Sequence, residues 1–225
     1  MQVSIKDPQK THGVNVTGTL NVLLASQKAG VKRVVYSASS SVYGEAKKFP
    51  QKESLGDGPL PLSPYGLEKY IGELQCAVFS AVYGLETVSL RYFNVFGARQ
   101  STEGAYALVI GKFLEQKEKG QPLTIVPDGR QSRDFVHVSD VVRANILAMR
   151  SRKVGKGEAI NIGTGKDYSV LEIAELIGGP AVFIEPRLEP RRTLADISKA
   201  RKLLGWKPKV SLEEGIKRLL KINVD

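Results

Sequence analysis

The chain contains three residues whose side chains can take part in a proton transfer together: Ser39, Tyr65 and Lys69. Tyr65 and Lys69 occur four positions apart in SPYGLEKYIGE, and this spacing places both side chains on one face of a helix. Ser39 lies upstream, after the apolar residues 34–36, which indicate a buried parallel strand. A phenol, a hydroxyl and an ammonium group together can take a proton from an alcohol, so the pattern predicts an oxidoreductase-type site.

The pairing of Tyr65 with Lys69 has a physical reason. A free tyrosine has a pKa of about 10, which is too high for a base at neutral pH. An ammonium group one helical turn away favours the phenolate. The alternative is a solvated surface pair, because any amphipathic helix can contain Tyr-x-x-x-Lys. For Ser39 the alternative is a serine that only ends the strand, with Ser40 or Ser41 in the chemical role.

Helix and strand signals alternate along the chain. Asp7 and Pro8 predict a helix start, and Gly30 its end. Ser63 predicts the start of the helix that carries Tyr65, and Gly84 its end. The other predicted elements are strands at 31–37, 87–94, 123–126, 134–138 and 159–162, helices at 106–119 and from Ser139 to 149, and helices after the capping boxes Ser169-x-x-Glu172 and Ser211-x-x-Glu214.

Composition narrows the class of protein. The 225 residues are 42% hydrophobic, which is enough for a sizeable core. A single cysteine, Cys76, rules out an intramolecular disulfide framework and fits a reducing cytoplasm. No apolar run has the roughly 18 residues of a membrane span, and no basic-then-apolar leader is present. We therefore expect a cytoplasmic chain that is neither secreted nor inserted in a membrane.

Charge and histidines exclude two kinds of partner. The net charge of +10 fits either nucleic acid or an anionic small substrate. The basic stretch 187–209 is interrupted by acidic residues and has no aromatic stacking platform, so we predict no nucleic-acid binding. His12 and His137 lie far apart and share no ligand spacing with cysteines or carboxylates, so we predict no metal.

Six sequence blocks together resemble the extended short-chain dehydrogenases, and specifically the NAD-dependent nucleotide-sugar epimerase/dehydratase family. Within that family the resemblance is to the UDP-glucose 4-epimerases. Besides Tyr-x-x-x-Lys, the blocks are DPQKTHGVNVTGTLNVL, LRYFNVFG, DGRQSRDFVHVSD, INIGTG and LADISKARKLLGWKPKVSLEEGI. The resemblance implies an α/β fold, a Rossmann-like parallel sheet with a smaller mixed α/β substrate-binding lobe. It implies NAD as cofactor, a nucleotide-sugar as substrate, and residues 1–95 and 134–165 as the dinucleotide-binding domain, with 96–133 and 166–225 as the lobe.

One family feature is missing. Members of the family open with a strand, a GxxGxxG turn and a helix that hold the dinucleotide pyrophosphate, and no GxxGxxG occurs in this sequence. We therefore expect an N-terminally truncated Rossmann-like domain, either the C-terminal part of a longer protein or a chain begun at an internal Met1. This absence keeps a second hypothesis open, a non-catalytic fragment that binds a nucleotide-sugar or a partner chain.

The resemblance also implies roles for residues. It gives catalysis to Ser39, Tyr65 and Lys69, with Lys69 also binding the nicotinamide ribose. NAD contacts are Ser37, Tyr65, Lys69, Tyr92 and Phe93, and substrate contacts are Ser39, Asn94, Arg133, Arg187, Glu189 and Thr193. Core packing is the alternative for Tyr92 and Phe93. An ion pair with Asp134 or Asp140 is the alternative for Arg133. EPRLEP departs from the PRxGD of the family, so Arg187 and Glu189 rest on a weaker match.

The residues after Ser39 indicate which reaction the site performs. By the resemblance, 4,6-dehydratases have an Asp-Glu pair there and decarboxylases a Glu, whereas this chain has Ser40 and Ser41, which cannot ionise. This favours NAD-dependent epimerisation at C4 of a UDP-glucose/UDP-galactose or UDP-GlcNAc type sugar through a 4-keto intermediate, with a 4,6-dehydratase as the lesser alternative. By the same resemblance, Thr193 matches a position that limits the size of the substrate pocket, and a small residue there leaves room for an N-acetyl group. Asn15 is expected to hold backbone behind the serine strand.

Family dimers also imply a quaternary structure. In those dimers the helix containing Asn15 and the helix containing Tyr65 pair across a two-fold axis. Here the outward faces of these helices contain Leu20, Leu24, Val78 and Val82 among polar neighbours. The resemblance therefore implies a homodimer.

Overall fold

The computed structural model describes residues 2–55, 60–101, 108–185 and 190–222. The elements of the first half are α1 (Gln2–Lys6), α2 (Pro8–His12), a π-helical turn (Gly13–Thr17), α3 (Gly18–Lys28), β1 (Arg33–Ser39), a 3-10 turn (Ser40–Tyr43), α4 (Pro64–Tyr83), β2 (Glu86–Tyr92) and β3 (Asn94–Phe96). Those of the second half are α5 (Val109–Glu118), β4 (Leu123–Ile125), β5 (Ser132–His137), α6 (Val138–Arg150), β6 (Lys156–Ile162), β7 (Asp167–Ser169), α7 (Val170–Ile177), β8 (Ala181–Phe183), α8 (Ser198–Leu204) and α9 (Leu212–Ile222).

The first sheet is parallel, with the strand order β1-β2-β6. β1 and β2 pair in register from Arg33 opposite Glu86 to Ser39 opposite Tyr92. Helices cover this sheet, as parallel sheets require, and its strands are rich in buried aliphatic residues. The core around it includes Leu90, Ile160, Ala144 of α6 and the fully buried Trp206. Trp206 follows α8, and its indole N–H donates to the carbonyl of Asp140 at 2.9 Å.

Two smaller sheets lie in the rest of the chain. β3 pairs parallel with β5, which pairs antiparallel with β7, and β4 pairs parallel with β8. A second core packs among these strands and helices α5, α7 and α9, with Phe96, Phe113, Phe135, Ile173 and Ile216 among its buried members. The division of the chain into a dinucleotide-binding domain and a substrate-binding lobe, with boundaries after residues 95, 133 and 165, stays a prediction. α8 and Trp206, late in the sequence, pack in the first core.

Helix α4 forms as its sequence predicts. The Ser63 hydroxyl accepts a hydrogen bond from the Gly66 amide at 3.2 Å, and Pro64 occupies the first helical position. Gly84 ends the helix with a φ of 69°. Two glycines let this helix lie directly on β1 and on the 3-10 turn that follows it. A Cβ on Gly66 would lie 2.8 Å from the Ser41 carbonyl oxygen, and one on Gly72 would overlap the Tyr36 hydroxyl.

Several helices and strands begin or end at residues other than those predicted. β1 continues to Ser39, and the predicted strand at 87–94 is divided at Phe93 because the chain passes there from the first sheet to the second. The cap of α6 is His137 instead of Ser139, since the His137 Nδ1 accepts from the Ser139 amide at 3.3 Å. α5 begins at Val109, and residues 102–107 lie outside the described residues. None of the described helices combines the length and apolar character needed to cross a membrane.

Candidate active site

Lys69 connects helix α4 to the carboxyl end of β1. Its Nζ donates a hydrogen bond of 3.0 Å to the carbonyl oxygen of Ser37. The same Nζ lies 5.2 Å from the ring centroid of Tyr36 and 5.9 Å from that of Tyr65. The carboxyl ends of parallel strands are where α/β sheets bind their ligands. Tyr65 and Lys69 therefore lie at the edge of the sheet where a site is expected.

Burial changes the ionisation of two side chains in this cluster. Burial lowers the pKa of the Lys69 amine below its ordinary value, and the Glu68 carboxylate opposes this shift. Burial also raises the pKa of the Tyr36 phenol far above its ordinary value. Tyr36 is therefore neutral and presents its ring face to the ammonium group.

Ser39 is buried and ends β1. Its hydroxyl accepts a hydrogen bond from the Ser41 amide at 3.1 Å and donates one to the Ser41 hydroxyl at 3.0 Å. The 3-10 turn that begins here packs on the first turns of α4, where Gly66 contacts the Ser41 carbonyl. The serine turn and the Tyr65 helix are thus neighbours at one edge. Ser39 caps the turn, as its structural alternative requires, and its catalytic role remains a proposal.

The aromatic pair after β2 has two different environments. The Tyr92 hydroxyl donates to the Asn145 side chain at 2.9 Å and lies 3.3 Å from the Ser37 hydroxyl, beside the candidate site. Phe93 is 1% exposed and packs in the first core, with its ring centroid 6.1 Å from that of Tyr43. This burial favours core packing for Phe93. Asn145 was not found from the sequence, since a polar residue on an amphipathic helix gives no signal of its partner.

Three predicted substrate contacts come together around Asn94. The Asn94 amide donates to the Thr193 hydroxyl at 3.2 Å and to the Asp134 carbonyl at 3.1 Å. Arg133, which precedes Asp134 on β5, is 9% exposed and donates to the carbonyls of Ser132 and, at 3.4 Å, Arg191. These residues lie far apart in sequence, and the fold brings them to one place. Arg187 and Glu189 lie outside the described residues.

The two carboxylates proposed as alternative partners of Arg133 have other partners. The Asp134 carboxylate accepts from the amides of Thr164, Gly165 and Ala195, at 2.7, 2.9 and 3.1 Å. The Asp140 carboxylate binds Arg143 and the amides of Lys209 and Val210. Asp134 therefore fixes the INIGTG loop and residue 195 beside the Asn94 cluster.

Two buried polar networks were not predicted. Arg91 and Glu73, 2% and 5% exposed, form an ion pair at 2.6 Å behind the site. Arg91 also donates to the Tyr43 hydroxyl at 3.0 Å, which in turn donates to Asn161 at 2.6 Å. Burial raises the pKa of Tyr43 to about 12, so this phenol stays neutral. An arginine inside the apolar strand LRYFNV is the signal that would have revealed the first network.

The second network contains Asn15. The side-chain amide of Asn15 donates to a Glu68 carboxylate oxygen at 2.7 Å. The main-chain carbonyl of Asn15 accepts from the Thr19 hydroxyl at 2.6 Å. Asn15 lies in the π-helical turn, a kind of irregularity that is frequent at functional sites. The Asn15 side chain thus binds a side chain on α4, whereas the predicted role was to hold backbone behind the serine strand.

The residues around Lys69 fit the nicotinamide-ribose end of NAD. An ammonium group has three N–H donors, and the hydrogen bond to Ser37 uses one. The Ser37 and Tyr92 hydroxyls lie beside it at the same sheet edge. The sequence contains no GxxGxxG turn for the pyrophosphate. Among the described residues, no group of three or more His, Cys, Asp or Glu side chains is arranged to hold a metal.

Comparisons with known proteins point to one family. The model of a family described as NAD dependent epimerase/dehydratase matches residues 1–163. A putative UDP-glucose 4-epimerase of Methanocaldococcus jannaschii is 42% identical over 226 residues, a match that covers 96% of this chain and 71% of the relative.

Solved structures are similar over the whole chain. A UDP-glucose 4-epimerase from Thermotoga maritima, crystallised with UDP-glucose, superposes with a TM-score of 0.91 at 38% identity, over 100% of this chain and 74% of that one. A UDP-N-acetylglucosamine 4-epimerase from Methanobrevibacter ruminantium, in complex with UDP-N-acetylmuramic acid, gives a TM-score of 0.90 at 34% identity, over 98% and 73%. These similarities confirm the predicted α/β fold with a parallel sheet.

Proposed function

We infer the reaction from the premise that the chain belongs to the NAD dependent epimerase/dehydratase family, an enzyme family whose cofactor is NAD. The reaction is epimerisation at C4 of a nucleotide-sugar, of the UDP-glucose/UDP-galactose or UDP-GlcNAc type, through a 4-keto intermediate. The observation that carries this proposal is the hydrogen bond from Lys69 to the Ser37 carbonyl, which holds the Tyr65 helix against the strand that ends at Ser39.

Each catalytic residue has a distinct task in this reaction. Tyr65, as phenolate, takes the proton of the C4 hydroxyl, and the ammonium of Lys69 stabilises that phenolate. Ser39 orients the sugar hydroxyl toward Tyr65. NAD, when bound, supplies the hydride acceptor and donor at C4. After the keto sugar presents its other face, Tyr65 returns the proton to the C4 oxygen, which becomes the new hydroxyl, and the phenolate is regenerated.

The Asn94 cluster is proposed to bind the diphosphate and sugar. Tyr92 on β2 is paired with Ser39 on β1, and Asn94 follows two residues after Tyr92. The chain therefore spans at most about 7 Å from Tyr92 to Asn94. Arg133 on β5 offers a guanidinium fork suited to phosphate. Thr193 belongs to the same cluster. Arg187 and Glu189, which lie outside the described residues, are proposed as further substrate contacts from the family resemblance. This spacing supports a sugar bound at Tyr65 and a diphosphate bound beyond Asn94.

The serine turn favours epimerisation over loss of water. A 4,6-dehydratase needs an acid and a base beside the sugar, whereas the two positions after Ser39 offer only the hydroxyls of Ser40 and Ser41. The Ser41 hydroxyl is in addition bound to Ser39. Elimination therefore lacks its proton donor and acceptor at these positions.

A homodimer through α3 and α4 belongs to the same proposal. Leu20 and Leu24 on α3 are 36% and 48% exposed, and Val78 and Val82 on α4 are 53% and 66% exposed. Apolar side chains at this spacing on two adjacent helices form the kind of face that packs against a copy of itself. Sedimentation equilibrium of the wild-type chain and of Val78→Lys tests this part.

The second candidate is a fragment that binds a nucleotide-sugar without catalysing its reaction, and the lack of a GxxGxxG turn favours it. Isothermal titration with NAD and with UDP, followed by an assay of UDP-glucose to UDP-galactose conversion, separates the two. Binding of both ligands and interconversion with the C6 hydroxyl retained support the epimerase. Binding of UDP without NAD, and no conversion, would establish the fragment. A product that has lost water would establish the dehydratase.

A further inference from the structure

Asn145 on α6 is joined to the candidate site by a chain of hydrogen bonds. Its side-chain oxygen accepts from the Tyr92 hydroxyl at 2.9 Å, and its side-chain NH2 group donates to the main-chain carbonyl of Val141 at 2.8 Å. The Tyr92 hydroxyl also lies 3.3 Å from the hydroxyl of Ser37. Polar contacts therefore run without a break from α6, through Tyr92, to the side chain of Ser37 on β1.

The Val141 carbonyl fixes the direction of these hydrogen bonds. A carbonyl oxygen can only accept, so the NH2 group of Asn145 must face Val141 and its oxygen must face Tyr92. A phenol has a single proton to donate, and Tyr92 gives it to Asn145. The Ser37 hydroxyl is therefore the donor in its bond to Tyr92. The proton of Ser37 is committed, whereas its oxygen can still accept from a ligand.

We propose that Asn145 is a positioning residue that makes the Ser37 hydroxyl a hydrogen-bond acceptor for the nicotinamide riboside half of NAD. Asn145 acts through Tyr92 and needs no contact with the cofactor. The group that donates to Ser37 is an N–H of the carboxamide or an O–H of the ribose, because these are the donors in that half of NAD. The inference rests on the proposed function, which places NAD at this sheet edge.

Lys69 presents the opposite polarity at the same edge. Its ammonium group can only donate, and one of its three N–H groups is used on the Ser37 carbonyl. The side chain of Ser37 is exposed, so a ligand can reach its oxygen. A hydroxyl whose proton is committed discriminates against a ligand that offers an acceptor in place of a donor, because the two acceptors then face each other without a hydrogen bond.

The probe is nicotinamide mononucleotide, which lacks the adenosine half of NAD and so does not need a glycine-rich turn for the pyrophosphate. Three analogues each exchange one donor for an acceptor. An acetyl group replaces the carboxamide in the first, and fluorine replaces the ribose 2′- or 3′-hydroxyl in the other two. Ligand-observed saturation-transfer NMR titrations with the full chain give the dissociation constants. The result is the ratio of analogue to parent, so turnover does not enter it.

In the wild-type chain, one analogue is expected to bind about 3- to 10-fold more weakly than the parent, which corresponds to one neutral hydrogen bond. Weaker binding of the acetyl analogue identifies the carboxamide as the donor, and weaker binding of a fluoro analogue identifies the ribose. Ser37→Ala removes the acceptor and should bring that ratio close to one. The effect of Ser37→Ala therefore shows that the discrimination belongs to this hydroxyl.

Asn145→Leu should also bring the ratio close to one. The Tyr92 hydroxyl then turns its proton toward Ser37, whose own proton is released to pair with the acceptor of the analogue. Asn145→Asp is the matched control, since a carboxylate oxygen still accepts from Tyr92 and the ratio should keep its wild-type value. If Asn145→Leu does not fold, Tyr92→Phe releases Ser37 in the same way and should lower the ratio as well.

Parent and analogues that bind the wild type equally would overturn the inference and leave NAD binding intact. A ratio that is lost in Ser37→Ala and retained in Asn145→Leu, or in Tyr92→Phe where that variant is used, would also overturn it, because Asn145 would then only support the fold. A purely structural role would weaken the binding of parent and analogue alike and leave their ratio unchanged. A wild-type chain that binds no nicotinamide mononucleotide contradicts both this inference and the cofactor site of the proposed function.

Discussion

The amine of Lys69 donates a hydrogen bond to the carbonyl of Ser37, and this contact joins a helix to the strand that ends two residues later at Ser39. Because the bond uses the main chain of β1, it fixes the distance between the ammonium group and the sheet edge whatever the side chain at position 37. Tyr65, one turn before Lys69, is held at the same edge. The arrangement makes the phenol of Tyr65 the group whose removal is most informative.

Tyr65→Phe is expected to lower kcat for C4 epimerisation by about 100- to 10,000-fold, the range that a positioned acid–base group contributes. The ring remains, so the packing of α4 and binding of UDP should be retained. The measurement is interconversion of UDP-glucose and UDP-galactose, with UDP affinity measured in parallel. Tyr83→Phe, at the exposed end of the same helix, is the matched control and should behave as wild type. A Tyr65→Phe variant within about tenfold of wild type would assign the proton transfer to another group.

Arg133→Met is expected to weaken UDP binding by about 10- to 100-fold, because it removes charge-assisted hydrogen bonds to the diphosphate. The methionine keeps much of the volume at this nearly buried position. Isothermal titration with UDP alone measures the effect and does not depend on NAD. Arg130→Met, on the exposed loop before β5, controls for the loss of one positive charge from the basic surface. Equal effects of the two substitutions would indicate only a general electrostatic attraction.

Local signals in the sequence predicted the helices and strands that hold the site. The contacts between residues far apart in the sequence could not be predicted from it. Ser63, Pro64 and Gly84 define α4 because caps and breakers act on neighbouring residues. The hydrogen bonds of Glu68 join residues on separate helices, so no periodicity in the sequence reveals them. For Phe93 the sequence left a cofactor contact and core packing both open, since alternation along a strand cannot tell that the chain changes sheets at that residue.

Removing one partner from the buried pair of Arg91 and Glu73 is expected to destabilise the protein strongly. Glu73→Gln leaves the Arg91 charge buried without its counterion, and breaking such a pair costs about 3–5 kcal/mol. Urea unfolding measures the loss in the free energy of unfolding. Glu214→Gln, which removes an exposed partner of Arg218 on α9, should cause no measurable change. A loss below about 1 kcal/mol for Glu73→Gln would mean that Tyr43 and the Glu53 carbonyl satisfy Arg91 without the carboxylate.

His137 is expected to make the protein less stable in mild acid. Burial, and then the nearby Arg218, lower the pKa of His137 below its ordinary value of 6.5, with Asp140 opposing. The folded state therefore holds the imidazole neutral, as an acceptor for the Ser139 amide at the start of α6. Below the unfolded pKa the unfolded chain binds more protons than the folded one, so this contribution is complete above that pH and is lost as pH falls toward the lowered folded pKa.

His137→Asn separates the cap from the titration. Asparagine is a good helix cap and does not titrate, so the variant should match the wild type near neutral pH. Between about pH 7.5 and pH 5 it should lose less of its free energy of unfolding than the wild type does. Urea unfolding at the two pH values gives both quantities. A loss in His137→Asn as steep as that of the wild type would show that other groups cause the acid sensitivity, and the neutral imidazole would then have no part in it.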